Sequence, residues 1–218
     1  MDFDFSGMAG KNALITGGAG FLGSNLAKKL VELDANVTLF LSTGKDKKNV
    51  ADIENKIKII EGNLTNDADV LDAVKNKDYI FHFAWQSDLK KSMLFPKEDL
   101  MTDILSLLNL LEVYRKENPN VKIIFPSTPT VVGYAENLKQ DETPRENPLS
   151  IYEANKLMAE KYLQVYYKNY NLKFCVLRME YVYSRLTRFI KLRVRKKGCI
   201  ILSLLQKCLF MVELDKLK

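Results

Sequence analysis

The sequence is poor in the residues that build metal centres and covalent cross-links. It has one histidine, His82, and three cysteines, Cys175, Cys199 and Cys208. The cysteines show neither metal-ligand spacing nor a pairing framework. That speaks against a zinc module or a disulfide scaffold and fits a reducing, cytoplasmic compartment. No apolar run reaches the ~18 residues that a membrane-spanning helix needs. Residues 1–10 carry two acids, Asp2 and Asp4, and no basic residue, the wrong charge for a secretory signal. Internal repeats and low-complexity stretches are absent as well.

Charge is unevenly placed. The net charge is +6, but residues 185–218 alone hold ten Lys/Arg against Glu213 and Asp215. The first 184 residues are therefore slightly acidic. A basic end can touch a polyanion. Because the charge belongs to the tail and not to the body, neither nucleic acid nor a membrane is expected as a partner.

What the chain does have is apolar residues, 47% of its length, enough for a real core. Short apolar runs alternate with amphipathic stretches. Strands are predicted at 13–15, 36–41, 56–60, 79–83, 121–125 and 172–177. Helices are predicted at 21–33, 69–74, 99–114 and 152–170, the first from Phe21, Leu22, Leu26, Leu30 and Leu33 at helical spacing. Alternating strands and helices imply an α/β fold, a doubly wound parallel sheet. Strands buried on both faces explain the unbroken apolar runs. Ligands of such sheets bind beyond the carboxyl ends of the strands.

Three motifs fall at those ends. Thr16-Gly17-Gly18-Ala19-Gly20-Phe21-Leu22-Gly23 runs from the first strand into the first helix. Gly17 suits a tight turn, Gly20 lets backbone approach a pyrophosphate, and Gly23 lets the helix pack close to the sheet. The helix N-terminus then offers N–H groups and a positive dipole end to phosphates. Tyr152-Glu153-Ala154-Asn155-Lys156 places Tyr152 and Lys156 four apart on one helical face. The ammonium is then expected to favour the phenolate and prepare it for acid/base work. Between them, Phe125-Pro126-Ser127-Thr128-Pro129-Thr130-Val131-Val132-Gly133 follows the fifth strand and sets hydroxyls at its end.

In this order the motifs are similar to the extended short-chain dehydrogenase/reductases, and within them to the NAD-dependent epimerase/dehydratase family that acts on nucleotide sugars. The resemblance runs from about Lys11 to Ser184. It includes Gly62-Asn63-Leu64 and His82-Phe83-Ala84. It implies a Rossmann-like domain over residues 1–184 that binds NAD. Tyr152 would be the acid/base at a sugar hydroxyl, and Lys156 would hold the nicotinamide ribose. Thr128, with Ser127 beside it, would be the catalytic hydroxyl. Gly17, Gly20, Phe21, Leu22, Gly23, Asn63, Leu64, Phe83 and Ala84 would contact the cofactor. A nucleotide sugar would be the substrate, no metal is implied, and dimerisation would run through the helices at 99–114 and 152–170. His82 is read as a packed residue at a strand end.

The match also departs from the family. The second strand lacks the acid that bonds the adenosine ribose, and Lys45, Lys47 and Lys48 follow it, which opens NADP as an alternative. Pro129 and Thr130 stand where dehydratases carry an acid, which argues against a 4,6-dehydratase and for an epimerase or simple oxidoreductase; a dehydratase or reductase of the same family is the alternative reaction. Tyr181 and Ser184 replace the Asn and Gly of the family's following turn. Only the 34 residues 185–218 remain after it, basic and then apolar, so the substrate domain is expected to be largely missing. A truncated product or a reading-frame change near Ser184–Lys197 would account for this break. An inactive remnant, either cofactor-binding or inert, is then the rival to an enzyme.

Overall fold

Six short apolar runs form strands in the computed structural model, which describes residues 6–133 and 146–179. They are β1 (Asn12–Thr16), β2 (Asn36–Leu41), β3 (Lys58–Glu61), β4 (Tyr79–His82), β5 (Lys122–Ser127) and β6 (Lys173–Arg178). Every pairing is parallel, in the order β3-β2-β1-β4-β5-β6. The chain therefore reverses its direction of build between β1 and β4, the point where doubly wound sheets open a crevice. Tyr181, Ser184 and the 185–218 tail, with Cys199 and Cys208, lie outside the described residues.

Alternation along each strand splits the core in two. Ala13, Ile15, Val37, Leu39 and Phe81 pack on one face with Leu26, Ala27 and Leu30 of α1 (Phe21–Glu32). Leu14, Phe40, Ile80, Ile123 and Phe125 pack on the other. That second face is covered by α2 (Asp67–Val74), α4 (Pro96–Glu117) and α5 (Ile151–Tyr170). Each fully buried Leu or Phe contributes about 1.5–3 kcal/mol, so a charge at Leu30 or Leu110 would break the layer it fills.

The helix ends have local causes. Ser150 accepts the Glu153 N–H at 3.2 Å, while Glu153 accepts the Ser150 N–H at 3.0 Å. This capping box starts α5 at Ile151 rather than Tyr152. Asn171 ends it in the left-handed region, φ 55°. Pro96 opens α4 three residues earlier than the apolar spacing predicts. A short helix, α3 (Leu89–Leu94), and 3-10 segments at Lys48–Lys56 and Pro129–Val132 escape the periodicity. The first of these displaces the start of β3 from the predicted residue 56 to Lys58.

Candidate active site

A cavity of about 820 Å³ opens over the carboxyl ends of β1, β4, β5 and β6. Its lining comes from the β1–α1 turn, the segment after β4, the β5 end, α5 and Met179. Of the residues singled out from sequence, Gly17, Gly20, Phe21, Leu22, Gly23, Phe83, Ser127, Thr128, Tyr152 and Lys156 border this one space. Asn63, Leu64 and Ala84 do not.

The glycine turn is built for close approach. Gly17 has φ +68°, and a Cβ there would stand 2.7 Å from the Ala84 nitrogen and 2.8 Å from the Phe83 carbonyl. A Cβ on Gly23 would meet the Gly17 oxygen at 2.4 Å. The turn thus lies directly on the β4 end, with the first turn of α1 tucked behind it. A Cβ on Gly20 would have only the Gly17 oxygen near it, at 3.2 Å. Gly20 caps α1 without a side-chain hydrogen bond. The first helical turn therefore keeps its N–H groups and its dipole end for a ligand.

His82 ties two strands together. It is fully buried, and its Nδ1 lies 2.9 Å from the Thr16 hydroxyl, which also accepts the Ala84 N–H at 3.1 Å. Burial, aided by the Lys156 charge, pushes the imidazole down to about 3, so it stays neutral. It is the packed residue at a strand end that its sequence context suggests.

Lys156 is buried too. Its ammonium donates to the Pro126 carbonyl at 2.6 Å and sits over the rings of Trp85 (4.1 Å) and Phe125 (4.5 Å). Burial lowers it to about 7, opposed by the charges of Asp103 and Glu160. Its distance to the Tyr152 ring centre is 5.8 Å. The expected depression of the Tyr152 pKa is corrected here. Burial and then the charges of Asp103, Asp99 and Glu153 push the phenol up. The cation faces Trp85 and a carbonyl, and desolvation outweighs it.

The two hydroxyls after β5 differ. Thr128 accepts the Thr130 N–H at 3.3 Å, with its Oγ1 2.9 Å from the Thr130 hydroxyl, at the cavity edge. Ser127 is buried, and its hydroxyl donates to Glu160. Glu160 in turn accepts two hydrogen bonds from Arg178, at 3.1 and 2.8 Å. Asn63 spends its amide oxygen on Thr65, at 3.0 Å to the N–H and 2.9 Å to the hydroxyl. The Leu64 carbonyl accepts from Asn109 at 2.7 Å. Past β2, Lys47 pairs with Glu61 at 2.6 Å and Lys48 with Asp46 at 3.0 Å.

Sequence reading passed over Trp85, Ser87, Met179 and the buried acids Asp99, Asp103 and Glu160. A signal for Asp103 exists: it lies on the same helical face as Leu107, Leu110, Leu111 and Tyr114, all buried. For Trp85 and Met179 nothing local points inward.

The parallel sheet and the glycine turn at its switch point define an α/β protein of the dinucleotide-binding type, with Tyr152 and Lys156 of one helix on the wall of its cavity. Comparison with known proteins agrees. Residues 13–203 match the NAD dependent epimerase/dehydratase family, and the chain belongs to it. The match runs past Ser184, where the resemblance read by eye stops. A protein of Methanocaldococcus jannaschii assigned as a UDP-glucose 4-epimerase is 33% identical over 176 residues, 78% of this chain and 56% of its own length. The dTDP-glucose 4,6-dehydratase of Mycobacterium tuberculosis is 29% identical over 167 residues, 73% of this chain and 50% of its own. The solved UDP-N-acetylglucosamine 4-epimerase from Methanobrevibacter ruminantium M1, in complex with UDP-N-acetylmuramic acid, superposes with a TM-score of 0.72. It is 31% identical over 78% of this chain and 55% of that one. The chain thus spans about half the length of these relatives. No helix among the described residues is long and apolar enough to cross a membrane, and no cluster of metal-ligating side chains occurs among them.

Proposed function

We propose that this chain carries the cofactor-binding and proton-transfer half of an NAD-dependent nucleotide-sugar 4-epimerase. The observation that carries the reading is the single cavity in which the β1–α1 glycine turn meets Tyr152, Lys156 and Thr128. The residues fit a dinucleotide. A side chain at Gly20 would enter the cavity, and the α1 N-terminus beside it has no side-chain cap. Gly17, Gly20, Phe21, Leu22 and Gly23 would hold the pyrophosphate, and Phe83 and Lys156 the nicotinamide side. When bound, NAD supplies hydride acceptance and return at a sugar carbon. Ionised to the phenolate, Tyr152 would take the proton of the sugar hydroxyl, becoming the phenol, and return it on the way back. Thr128 would donate to the sugar oxygen, and Lys156 carries the positive charge 5.8 Å from the Tyr152 ring centre. Trp85 and Phe125 exclude water from the ammonium.

Two of the three lysines after β2, Lys47 and Lys48, pair with carboxylates, which supports NAD over NADP and leaves Lys45 as the cation of that group with no ion pair among the described residues. Pro129 and Thr130, where a dehydratase carries an acid, support an epimerase. A homodimer is part of the reading. Leu94, Leu100, Met101 and Leu105 of α3 and α4, with Met158 and Val165 of α5, are exposed large apolar side chains, and a second copy would cover them.

Titration calorimetry of the full chain with NAD, followed by turnover of UDP- and dTDP-hexoses, tests this. Tight NAD binding with interconversion of 4-epimers supports it. A folded chain that binds neither NAD nor NADP overturns it and favours the remnant.

A further inference from the structure

Three buried polar side-chain atoms lack a hydrogen-bond partner among the described residues: His82 Nε2, Trp85 Nε1 and Asp103 Oδ2. Unpartnered buried polar atoms are rare and ask for a reason. All three residues lie near Lys156, whose ammonium sits over Trp85 and whose charge acts on His82 and Asp103. Trp85 covers it, His82 packs edge-on against Trp85, and Asp103 is held by the N–H of the next residue, Gln86, at 3.0 Å. Asp103 is fully buried. Its other oxygen is the only carboxylate oxygen in this group.

Neighbouring charges are accounted for differently. Asp99, one turn before Asp103 on α4, satisfies both its oxygens, on Gln86 at 2.8 Å and Asn155 at 2.9 Å. Glu153 is spent on the start of α5, and Glu160 on Ser127 and Arg178. His82 is neutral. Asp103 is left with one oxygen in use, and its charge acts on both Lys156 and Tyr152. A carboxyl kept only to hold the Gln86 N–H needs no second oxygen, since an amide accepts that bond equally well.

We propose that Asp103 is the buried charge partner of the Tyr152–Lys156 pair, a positioning residue whose ionisation sets how tightly both side chains hold their protons. This rests on reading that pair as the proton-transfer machinery. When Asp103 is ionised, Lys156 keeps its ammonium and Tyr152 its phenol proton. When Asp103 is protonated, both let go at lower pH. Burial, reinforced by Asp99, pushes Asp103 up to about 7, so the change falls where the chain would work. The groups coupled to this carboxyl are Asp99 from α4, the Gln86 N–H from the segment after β4, and Tyr152 and Lys156 from α5, with neutral His82 of β4 packed against Trp85.

Asp103→Asn isolates the charge, because the amide oxygen keeps the Gln86 bond. In the full chain without nucleotide, the titration of Lys156 is followed by NMR of lysine labelled at the terminal carbon, with Lys156→Met to assign the signal. The Lys156 midpoint is expected to fall by about one pH unit in Asp103→Asn; an unchanged midpoint overturns the proposal. Should Asp103→Asn not fold, the reciprocal measurement decides. The Asp103 carboxyl must titrate higher in Lys156→Met than in wild type, since coupling between two sites is mutual; equal midpoints overturn the proposal. NAD affinity is measured alongside. Loss of NAD binding with the coupling intact defeats the enzyme reading alone, so the two failures are told apart.

Discussion

The Ser127 hydroxyl donates a hydrogen bond to Glu160, and Arg178 closes on the same carboxylate through two hydrogen bonds of 3.1 and 2.8 Å. Three elements, β5, α5 and β6, meet at this buried junction, directly behind the cavity wall. Of the adjacent hydroxyls, Ser127 is tied to the Glu160 carboxylate and Thr128 lies at the cavity edge beside Thr130.

Exchanging the two hydroxyls should therefore give opposite results. Ser127→Ala removes a donor from a buried carboxylate and is expected to cost about 1–3 kcal/mol in denaturant unfolding, with NAD affinity preserved. Thr128→Val should leave stability within about 0.5 kcal/mol and lower turnover. Equal effects of both on stability would contradict the division of labour.

Gly17→Ala combines a left-handed backbone with contacts of 2.7 and 2.8 Å to the backbone of residues 83 and 84. Backbone cannot yield as a side chain can. The expected cost is about 1–3 kcal/mol from each of strain and overpacking. NAD binding should weaken at least tenfold, by ~1.4 kcal/mol or more. A variant of wild-type stability and affinity would show that the turn does not lie where β4 ends.

Cofactor choice is expected to follow the Lys47–Glu61 ion pair. Glu61→Gln frees the Lys47 ammonium at the end of β2. The ratio of NADP to NAD affinity, read by calorimetry, should rise several-fold and lose that gain at high salt. A ratio unchanged at low salt would place the 2′ position elsewhere.

His82 makes the folded chain sensitive to acid. Its folded pKa, about 3, lies below the unfolded value of 6.5. The unfolded chain therefore takes up a proton that the folded chain refuses. Stability from this group is complete above pH 6.5 and is lost as pH falls toward 3, at about 1.4 kcal/mol per pH unit. In unfolding measured from pH 7 to 4, His82→Gln should show a slope shallower by that amount. Parallel curves would mean that His82 is protonated in the folded state.

Much of this protein is legible within ten residues of chain. Apolar spacing marks α1, the Gly17–Gly23 turn marks the first crossover, and the runs of β1, β2, β4 and β5 mark strands buried on both faces. These are decided by backbone sterics and by periodicity, which act locally. Alternation of strand and helix then leaves few topologies open, which is why the parallel doubly wound sheet follows from sequence, and why Tyr152, Lys156 and Thr128 could be named for one end of it.

Which polar group meets which was decided only by tertiary packing. Ser127 and Glu160 are 33 residues apart, Asp99 and Asn155 are 56, and Thr16 and His82 are 66. The tyrosine–lysine spacing correctly places both side chains on one helical face, yet the direction of the Tyr152 shift was set by burial and by acids from another helix. Asn63 likewise turned inward to its own loop. Hydrogen bonds and charges act over a few ångströms of space, and desolvation depends on everything around a group. Only the assembled sheet and its two helical layers bring those neighbours together.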